Sequence, residues 1–304
     1  MTTDLAELQQ RFSIARLVRF ESGPGALIRA VVTTDQAEAE IHLHGAHVTR
    51  YVPRGQTPVL WMSGSSAFQA EKPIRGGVPI CFPWFGARAG DATSPAHGFA
   101  RILEWGVEST RQDADGSVSI VLALEANEQT RKWWPFEFRL RYEVKIGSAL
   151  QLALAIENRG SQPMVLEEAL HSYFTVGDVR ACTVTGLEGA RYIDKTDGMK
   201  IKEQGEQPVT ISAETDRVYL KTQSTCVIDD RKLSRRIVVA KRHSDATVVW
   251  NPWVAKSKAM ADFGDDEWPG MICVETCNVG QERITVEPGG THTMEAEIHV
   301  EAGN

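Results

Sequence analysis

Residues 72–101 differ in composition from the rest of the chain, because this segment contains four prolines and five glycines. These residues interrupt helices and strands, so we expect a pair of long ordered loops here. Arg75, His97 and Arg101 lie beside glycine or small residues, which allow the backbone to approach a ligand closely. Guanidinium groups bind phosphate through paired hydrogen bonds. The segment is therefore a candidate phosphate site, and the alternative is that the arginines form structural ion pairs.

A candidate acid and a candidate base lie farther along the chain. His171 stands in the sequence Glu-Glu-Ala-Leu-His-Ser-Tyr-Phe at 167–174, and an imidazole can act as a general acid near neutral pH. Glu275 follows the apolar run 271–274, and a carboxylate at the end of a buried strand must be hydrogen-bonded or functional. The alternatives are a core histidine and a buried salt-bridge partner.

Closely spaced histidines and cysteines raise the question of a metal site. His42 and His44 would share a strand face that a glycine interrupts before His47, so we expect a solvent-facing or structural role for the three. The chain has five cysteines, an odd number at low density, which favours reduced thiols over disulfides. Cys273 and Cys277 have no second pair and fit buried structural thiols better than zinc ligands. We expect neither a metal nor an organic cofactor.

Two tryptophan-containing segments offer flat apolar surfaces on which sugar rings often stack. They read Trp-Trp-Pro at 133–135 and Asn-Pro-Trp at 251–253. Tryptophans in such positions are also common in the core, so composition alone does not decide between the two roles.

Most of the chain alternates apolar and polar residues, which is typical of strands with one buried face. The alternation is clearest at 118–124, 136–146, 150–156 and 294–300, and Gly147 and Ser148 predict a hairpin turn. Helical spacing is confined to the first dozen residues, through Leu5, Leu8 and Phe12. Because turn signals recur and no linker or repeat is visible, we expect an all-β antiparallel sandwich in a single domain over residues 1–304.

Charge and composition restrict the class of partner. The 304 residues are 42% apolar, enough for a substantial core, and the formal net charge is −7. A negative net charge argues weakly against nucleic acid or an anionic membrane as a binding partner, because both attract a positively charged protein surface. No leader-like segment or bilayer-spanning stretch is visible. We expect a cytoplasmic monomer that acts on a small molecule.

Several segments, in order along nearly the whole chain, are similar to those of one known family. They read Ile-Arg-Gly-Gly-Val-Pro at 74–79, Phe-Pro-Trp-Phe-Gly at 82–86, His-Gly-Phe-Ala-Arg at 97–101, Thr-Arg at 130–131, Trp-Pro at 134–135, Glu-Ala-Leu-His-Ser-Tyr-Phe at 168–174, Tyr-Ile-Asp-Lys at 192–195, Asn-Pro-Trp at 251–253 and Glu275. The chain resembles the aldose 1-epimerase superfamily, and within it the glucose-6-phosphate 1-epimerase (hexose-6-phosphate mutarotase) branch.

The resemblance implies a galactose-mutarotase-like β-supersandwich, which agrees with the strand pattern. By the family pattern Glu275 is the general base and His171 the general acid. Further residues are implied to contact the substrate: His97 and Trp253 near the sugar, Asp194 at its hydroxyls, and Arg75 and Arg101 at the phosphate.

One departure separates the branches of the family. Mutarotases of free aldoses carry the catalytic histidine in Asn-His-x-Tyr-Phe-Asn-Leu, whereas here Leu170 precedes it and Thr175 follows the Tyr-Phe pair. The departure favours interconversion of the α and β anomers of a hexose 6-phosphate, with glucose 6-phosphate the first substrate to consider. A mutarotase of unphosphorylated aldoses and a non-catalytic carbohydrate-binding protein stay open. For the acid–base reaction we expect a nearby carboxylate to raise the pKa of His171.

Overall fold

The structure, a computed structural model, describes residues 4–303. Its helices are α1 Leu5–Phe12, α2 Glu128–Trp133 and α3 Trp253–Ala259. The sequence predicts α1, which Asp4 caps by accepting a hydrogen bond from the Ala6 N–H. The other two helices are too short for a periodic signal to emerge. Within residues 4–303 no helix has the length and apolar character needed to cross a membrane.

Strands make up most of the ordered structure. In chain order they are β1 Val18–Ser22, β2 Ile28–Thr33, β3 Ala37–His42, β4 His47–Pro53, β5 Ile80–Cys81, β6 Gly106–Gln112, β7 Val118–Glu125, β8 Phe138–Ile146, β9 Leu150–Asn158, β10 Met164–Leu166, β11 Glu168–Leu170, β12 Tyr173–Thr175, β13 Cys182–Thr185, β14 Arg191–Asp194, β15 Lys200–Glu203, β16 Val209–Thr210, β17 Thr215–Leu220, β18 Cys226–Asp230, β19 Arg235–Arg242, β20 Ala246–Asn251, β21 Met271–Asn278, β22 Ile284–Val286 and β23 Thr291–Ala302.

Two large sheets and two small ones are built from these strands. The nine-stranded sheet has the order β16-β13-β18-β19-β23-β9-β8-β7-β6. The eight-stranded sheet has the order β15-β14-β17-β20-β21-β11-β5, with β12 also pairing with β21. Strands β1 to β4 form a third sheet and β10 pairs with β22. The arrangement confirms the predicted antiparallel β-sandwich.

The nine-stranded sheet follows directly from the alternating sequence pattern. In β8 every second residue is buried, from Phe138 to Ile146, and β9 continues the alternation after a hairpin in which Ile146 lies opposite Leu150. The inward side chains join one continuous apolar cluster that includes residues of the eight-stranded sheet. Because each buried apolar side chain contributes roughly 1.5–3 kcal/mol, this face fixes the register of the sheet.

The eight-stranded sheet is covered on both faces near its centre. All eight residues of β21 are buried, although Glu275 and Asn278 are polar. Strand β20 pairs with one edge of β21, and β11 and β12 pair with the other. The two residues between β11 and β12, including His171, are thereby held beside the middle of β21.

Residues 72–101 run as loops, as predicted, with β5 as their strand. Gly98 has a φ of 74°, and a Cβ atom at this position would lie 1.9 Å from the Phe82 carbonyl oxygen. Only glycine fits this close approach, which holds the loop ends together and orients the preceding His97.

The three N-terminal histidines are buried, so the prediction of a solvent-facing role is wrong and the structural alternative holds. Nε2 of His44 lies 2.7 Å from the Lys72 carbonyl oxygen, and Nε2 of His47 lies 2.7 Å from that of Gly76. The rings fasten the start of the loop segment to the sheet of β1 to β4. No disulfide forms among the described residues, and all five cysteines are free and buried, as predicted.

Candidate active site

His171 and Glu275 meet although 103 positions separate them in the sequence. Nδ1 of His171 lies 3.4 Å from Oε1 of Glu275, and the two residues are 6% and 1% exposed. The His171 N–H donates to the Pro79 carbonyl oxygen at 3.0 Å, which fixes the backbone between β11 and β12. Nδ1 and both carboxylate oxygens have no hydrogen-bond partner within residues 4–303. An unpartnered acid–base pair is free to exchange protons with a ligand.

Strand register places further side chains on the same face as Glu275. Asp216 lies opposite Trp250, and Trp250 opposite Cys273, in β17, β20 and β21. Cys273 in turn lies opposite Tyr173 of β12. Glu275 is two residues after Cys273 and therefore points to the same side of the sheet. These five residues form the floor of the site.

Aromatic rings hold His171 in place. The ring of Tyr173 stacks on that of His171, with centroids 4.8 Å apart and an angle of 8° between the planes. Trp250 meets the His171 ring edge-on at 6.0 Å, and His97 does so at 5.6 Å. Such contacts restrict the imidazole to one orientation beside the carboxylate.

His97 has a defined tautomer in its neutral form. The Gly86 N–H donates to its Nδ1 at 3.3 Å, so the ring proton resides on Nε2. Burial lowers the pKa of His97 well below its ordinary value, and the charges of Arg101 and His171 lower it further. The residue is therefore a neutral hydrogen-bond donor at the site, as its predicted contact with the sugar requires.

Arg75 and Arg101 reach the site from the two ends of the loop segment. Arg75 pairs with Asp262, with Nη2 and Oδ2 3.0 Å apart, and its Nη1 donates to the Tyr173 hydroxyl at 3.0 Å. Arg101 is 7% exposed; within the described chain its hydrogen bond goes to the Ala96 carbonyl oxygen, and its Nε has no partner. Burial lowers the pKa of Arg101, and the charge of Arg75 also lowers it. The two cations therefore repel each other unless an anion joins them.

A third cation faces the acid–base pair from the end of β14. Nζ of Lys195 lies 3.2 Å from Oδ2 of Asp216 and 5.5 Å from the centre of the Phe85 ring. Lys195 and Asp216 act in opposite directions on the pKa of Glu275. The pair is thus part of the electrostatic surroundings of the base.

Burial disfavours charge on both members of the pair. It raises the pKa of Glu275 well above 4.5, with a further contribution from Asp216. It also lowers the pKa of His171 well below 6.5, together with the charges of Arg101 and Arg75. The expectation that the carboxylate raises the pKa of His171 is therefore wrong, because burial and two arginines outweigh one carboxylate. These opposite shifts favour a neutral imidazole and a protonated carboxyl, so the uncharged pair carries one proton.

The side chains of Asp194 and Trp253, which are also predicted site residues, contact residues other than His171 and Glu275. Oδ2 of Asp194 accepts from Lys202 and Oδ1 from Thr196, at 2.8 and 2.7 Å. The Trp253 ring packs on Trp268, with centroids 4.2 Å apart. Their roles towards a sugar stay predictions.

Sequence reasoning missed Lys195, Asp216 and Trp250. Lys195 directly follows Asp194 in a segment that the resemblance singles out, so its position in the sequence was the available signal. Asp216 and Trp250 stand in strands without any unusual pattern, and only the pairing of β17 with β20 reveals that they share a face with Cys273.

Comparison with known proteins gives consistent results. The family model described as aldose 1-epimerase matches residues 29–299. A protein of Escherichia coli K12, provisionally named glucose-6-phosphate 1-epimerase, is 40% identical over 258 residues, 84% of this chain and 85% of its own. A protein of Salmonella typhimurium with the same provisional name is 40% identical over 246 residues, 81% of each chain.

Solved structures show the same relationship. The crystal structure of a provisionally named mutarotase from Salmonella typhimurium superimposes with a TM-score of 0.89 at 34% identity, over 96% of both chains. Galactose 1-epimerase from Lactobacillus acidophilus NCFM shares the fold alone, with a TM-score of 0.72 at 12% identity over 94% of this chain and 99% of that one. Because the family model matches residues 29–299 and two relatives share 40% of their aligned residues with this chain, the chain belongs to the aldose 1-epimerase family.

Proposed function

We propose that the protein interconverts the α and β anomers of a hexose 6-phosphate, with glucose 6-phosphate as its first substrate to test. The observation that carries this proposal is Arg101, a buried guanidinium with an unpartnered Nε that interacts electrostatically with the acid–base pair. Arg101 forms no direct ion pair among the described residues, and Asp262 and Glu275 interact with it only electrostatically, so a ligand phosphate would supply the missing hydrogen-bonded anion. The provisional names of the relatives agree with a phosphorylated substrate.

Anomer exchange requires one proton to leave and one to arrive at neighbouring oxygens. The Glu275 carboxylate takes the proton of the anomeric hydroxyl while protonated His171 donates to the ring oxygen, so the bond between C1 and the ring oxygen breaks and C1 becomes a carbonyl. Rotation about C1–C2 exposes the other carbonyl face, and closure reverses both transfers. Both oxygens are attached to C1, which suits an acid and a base 3.4 Å apart.

The proton count fits this reaction. The reaction proceeds from the one-proton form in which the proton lies on His171 and Glu275 is ionised, although burial favours the form with the proton on Glu275. The pair regains the same single proton when the ring closes. The acid and the base would each contribute on the order of 10² to 10⁴ in rate.

The site is poorly suited to binding without turnover. Glu275 is fully buried with both oxygens unpartnered, an arrangement that costs stability and brings a non-catalytic binding protein no advantage. Because a free aldose has no phosphate, it would leave Nε of Arg101 without a hydrogen-bonded anion.

Polarimetry tests the proposal directly. Freshly dissolved α-glucose 6-phosphate should reach its equilibrium rotation faster with the protein than without it, and α-glucose and α-galactose should respond less. Equal acceleration of glucose and glucose 6-phosphate would contradict the assigned substrate, and no acceleration of any sugar would contradict the reaction.

A further inference from the structure

We propose that His171, Cys273 and Glu275 form a binding site for a borderline-soft divalent cation such as Zn²⁺, and that the bound cation switches the acid–base pair off. Each residue offers one ligand atom, and these nitrogen, sulfur and oxygen atoms lie within 4.8 Å of one another. This site goes beyond the proposed function, since anomer exchange makes no use of the Cys273 thiol.

The fold brings the three side chains together from neighbouring strands. Cys273 and Glu275 are two residues apart in β21 and point to the same side of the sheet. Tyr173 lies opposite Cys273, so His171, two residues earlier, lies level with Glu275. All three residues are buried, which fixes their positions before any cation arrives.

The donor atoms are available to a cation. Nδ1 of His171 and both oxygens of Glu275 have no hydrogen-bond partner among the residues that the structure describes. In a tetrahedral zinc site such ligand atoms are about 3.3–3.6 Å apart, as follows from metal–ligand bonds of about 2.0–2.3 Å. Nδ1 and Oε1 are already 3.4 Å apart, so only the longer separations, up to 4.8 Å, have to shorten, by up to about 1.2–1.5 Å.

Charge balance and ligand type select the cation. On binding, the Cys273 thiol and the acid–base pair each release a proton to solvent, and the resulting thiolate and carboxylate neutralise the divalent ion. The buried assembly then carries no net charge beside Arg75, Arg101 and Lys195. Sulfur and imidazole ligands favour Zn²⁺, Co²⁺ and Cd²⁺, whereas Mg²⁺ and Ca²⁺ prefer oxygen ligands. Three protein ligands leave a fourth tetrahedral position for water.

The bound cation would occupy both atoms on which anomer exchange depends. Nδ1 of His171 could no longer take part in proton exchange with the carboxylate, and Glu275 could no longer accept the proton of the sugar. We therefore expect Zn²⁺ and the sugar phosphate to exclude each other.

Co²⁺ is the probe for the binding site itself, because a tetrahedral Co²⁺–thiolate complex absorbs visible light and gives a charge-transfer band. The intact protein should bind one Co²⁺ with such a spectrum, and Zn²⁺ should displace it. Cys273→Ala should lose the charge-transfer band, whereas Cys226→Ala, which removes a buried thiol of β18, should retain it. A band that survives Cys273→Ala, or no binding by the intact protein, would overturn the proposal.

Inhibition gives the second readout. Zn²⁺ should inhibit the intact protein competitively with glucose 6-phosphate, and a chelator should restore the rate, while Mg²⁺ should have no effect. Cys273→Ala should raise the inhibition constant for Zn²⁺ at least about 100-fold. Loss of a residue that only hydrogen-bonds to a metal ligand already weakens metal binding up to about 100-fold, and Cys273 would be a ligand itself. For each variant, the rate of anomer exchange with Zn²⁺ is compared with the rate of the same variant in the presence of a chelator. Cys273→Ser replaces Cys273→Ala if the alanine variant does not fold. Equal Zn²⁺ sensitivity of the Cys273 and Cys226 variants would refute the site, and the Co²⁺ spectrum remains decisive even if the protein proves inactive on sugar phosphates.

Discussion

Replacing Arg101 by methionine separates phosphate recognition from the chemistry of the sugar ring. Methionine keeps an unbranched apolar chain of similar length and removes the charge. A hydrogen bond to a charged group contributes roughly 1.5–3 kcal/mol. Because Arg101 is only 7% exposed, solvent screens it little, and the upper half of that range applies. We therefore expect KM for glucose 6-phosphate to rise about 40- to 150-fold.

The same substitution should have little effect on folding. The side chain gives up its hydrogen bond to the Ala96 carbonyl oxygen, which costs roughly 1.5–3 kcal/mol because the donor is charged. Removing a buried charge that has no direct ion pair among the described residues offsets this cost. The melting temperature should therefore stay within a few degrees of the parent value.

Steady-state kinetics on two sugars distinguishes the phosphate role from a structural one. Arg101→Met should leave kcat/KM for glucose unchanged, because that sugar has no phosphate. Arg88→Met is the matched control, since Arg88 lies in the same loop segment but bonds to Ser94 and the Trp133 carbonyl oxygen. Parallel losses on glucose and glucose 6-phosphate in Arg101→Met would refute the reasoning.

Three further predictions concern neighbouring groups. Arg75→Ala should raise KM for glucose 6-phosphate by about 10- to 40-fold, the lower half of the range, because this side chain is 19% exposed and already ion-paired. A melting curve should also show destabilisation, and an unchanged KM would exclude Arg75 from the phosphate site. Since the reaction needs the pair to hold one proton, kcat/KM, corrected for the ionisation of the substrate phosphate, should be bell-shaped with pH, and a rate that stays flat from acid to alkaline pH would contradict the assignment. Burial alone would raise the pKa of Asp194, but hydrogen bonds from Lys202 and Thr196 lower it to about 2 from 3.8, so the stability that the ionised Asp194 contributes is present above pH 3.8 and is lost as pH falls through 2. Asp194→Asn should therefore lower the free energy of unfolding in urea at pH 7 by about 1 kcal/mol, after allowance for screening. An equal cost near pH 2 would contradict this origin.

The sequence predicts the long strands well because their apolar residues alternate on one covered face. Strands β7, β8, β9 and β23 all fall where the alternation places them. Short strands such as β5, β11 and β12 carry no such signal, since two or three buried residues fit any element. Strands β11 and β12 are placed by pairing with β21, and β5 by pairing with β11, which are long-range contacts that no local pattern records.

The candidate site was predictable to the extent that residue types reveal chemistry. His171 and Glu275 were chosen as acid and base, and the structure places their side chains 3.4 Å apart. Their pKa directions were not predictable, because they depend on burial and on Arg101 and Arg75. The position of Lys195 beside Asp216 was not predictable, since side-chain orientation at the end of a strand is decided by tertiary contacts.

The central claim, that the pair opens the sugar ring, is tested most directly by NMR exchange between the α and β anomers of glucose 6-phosphate at equilibrium. The measurement needs no net reaction and compares the intact protein with Glu275→Gln, which keeps the shape of the side chain but removes the base. We expect the intact protein to accelerate exchange and the variant to lose a factor of about 10² or more while still binding the sugar phosphate. A variant that exchanges the anomers at nearly the parent rate would contradict the account.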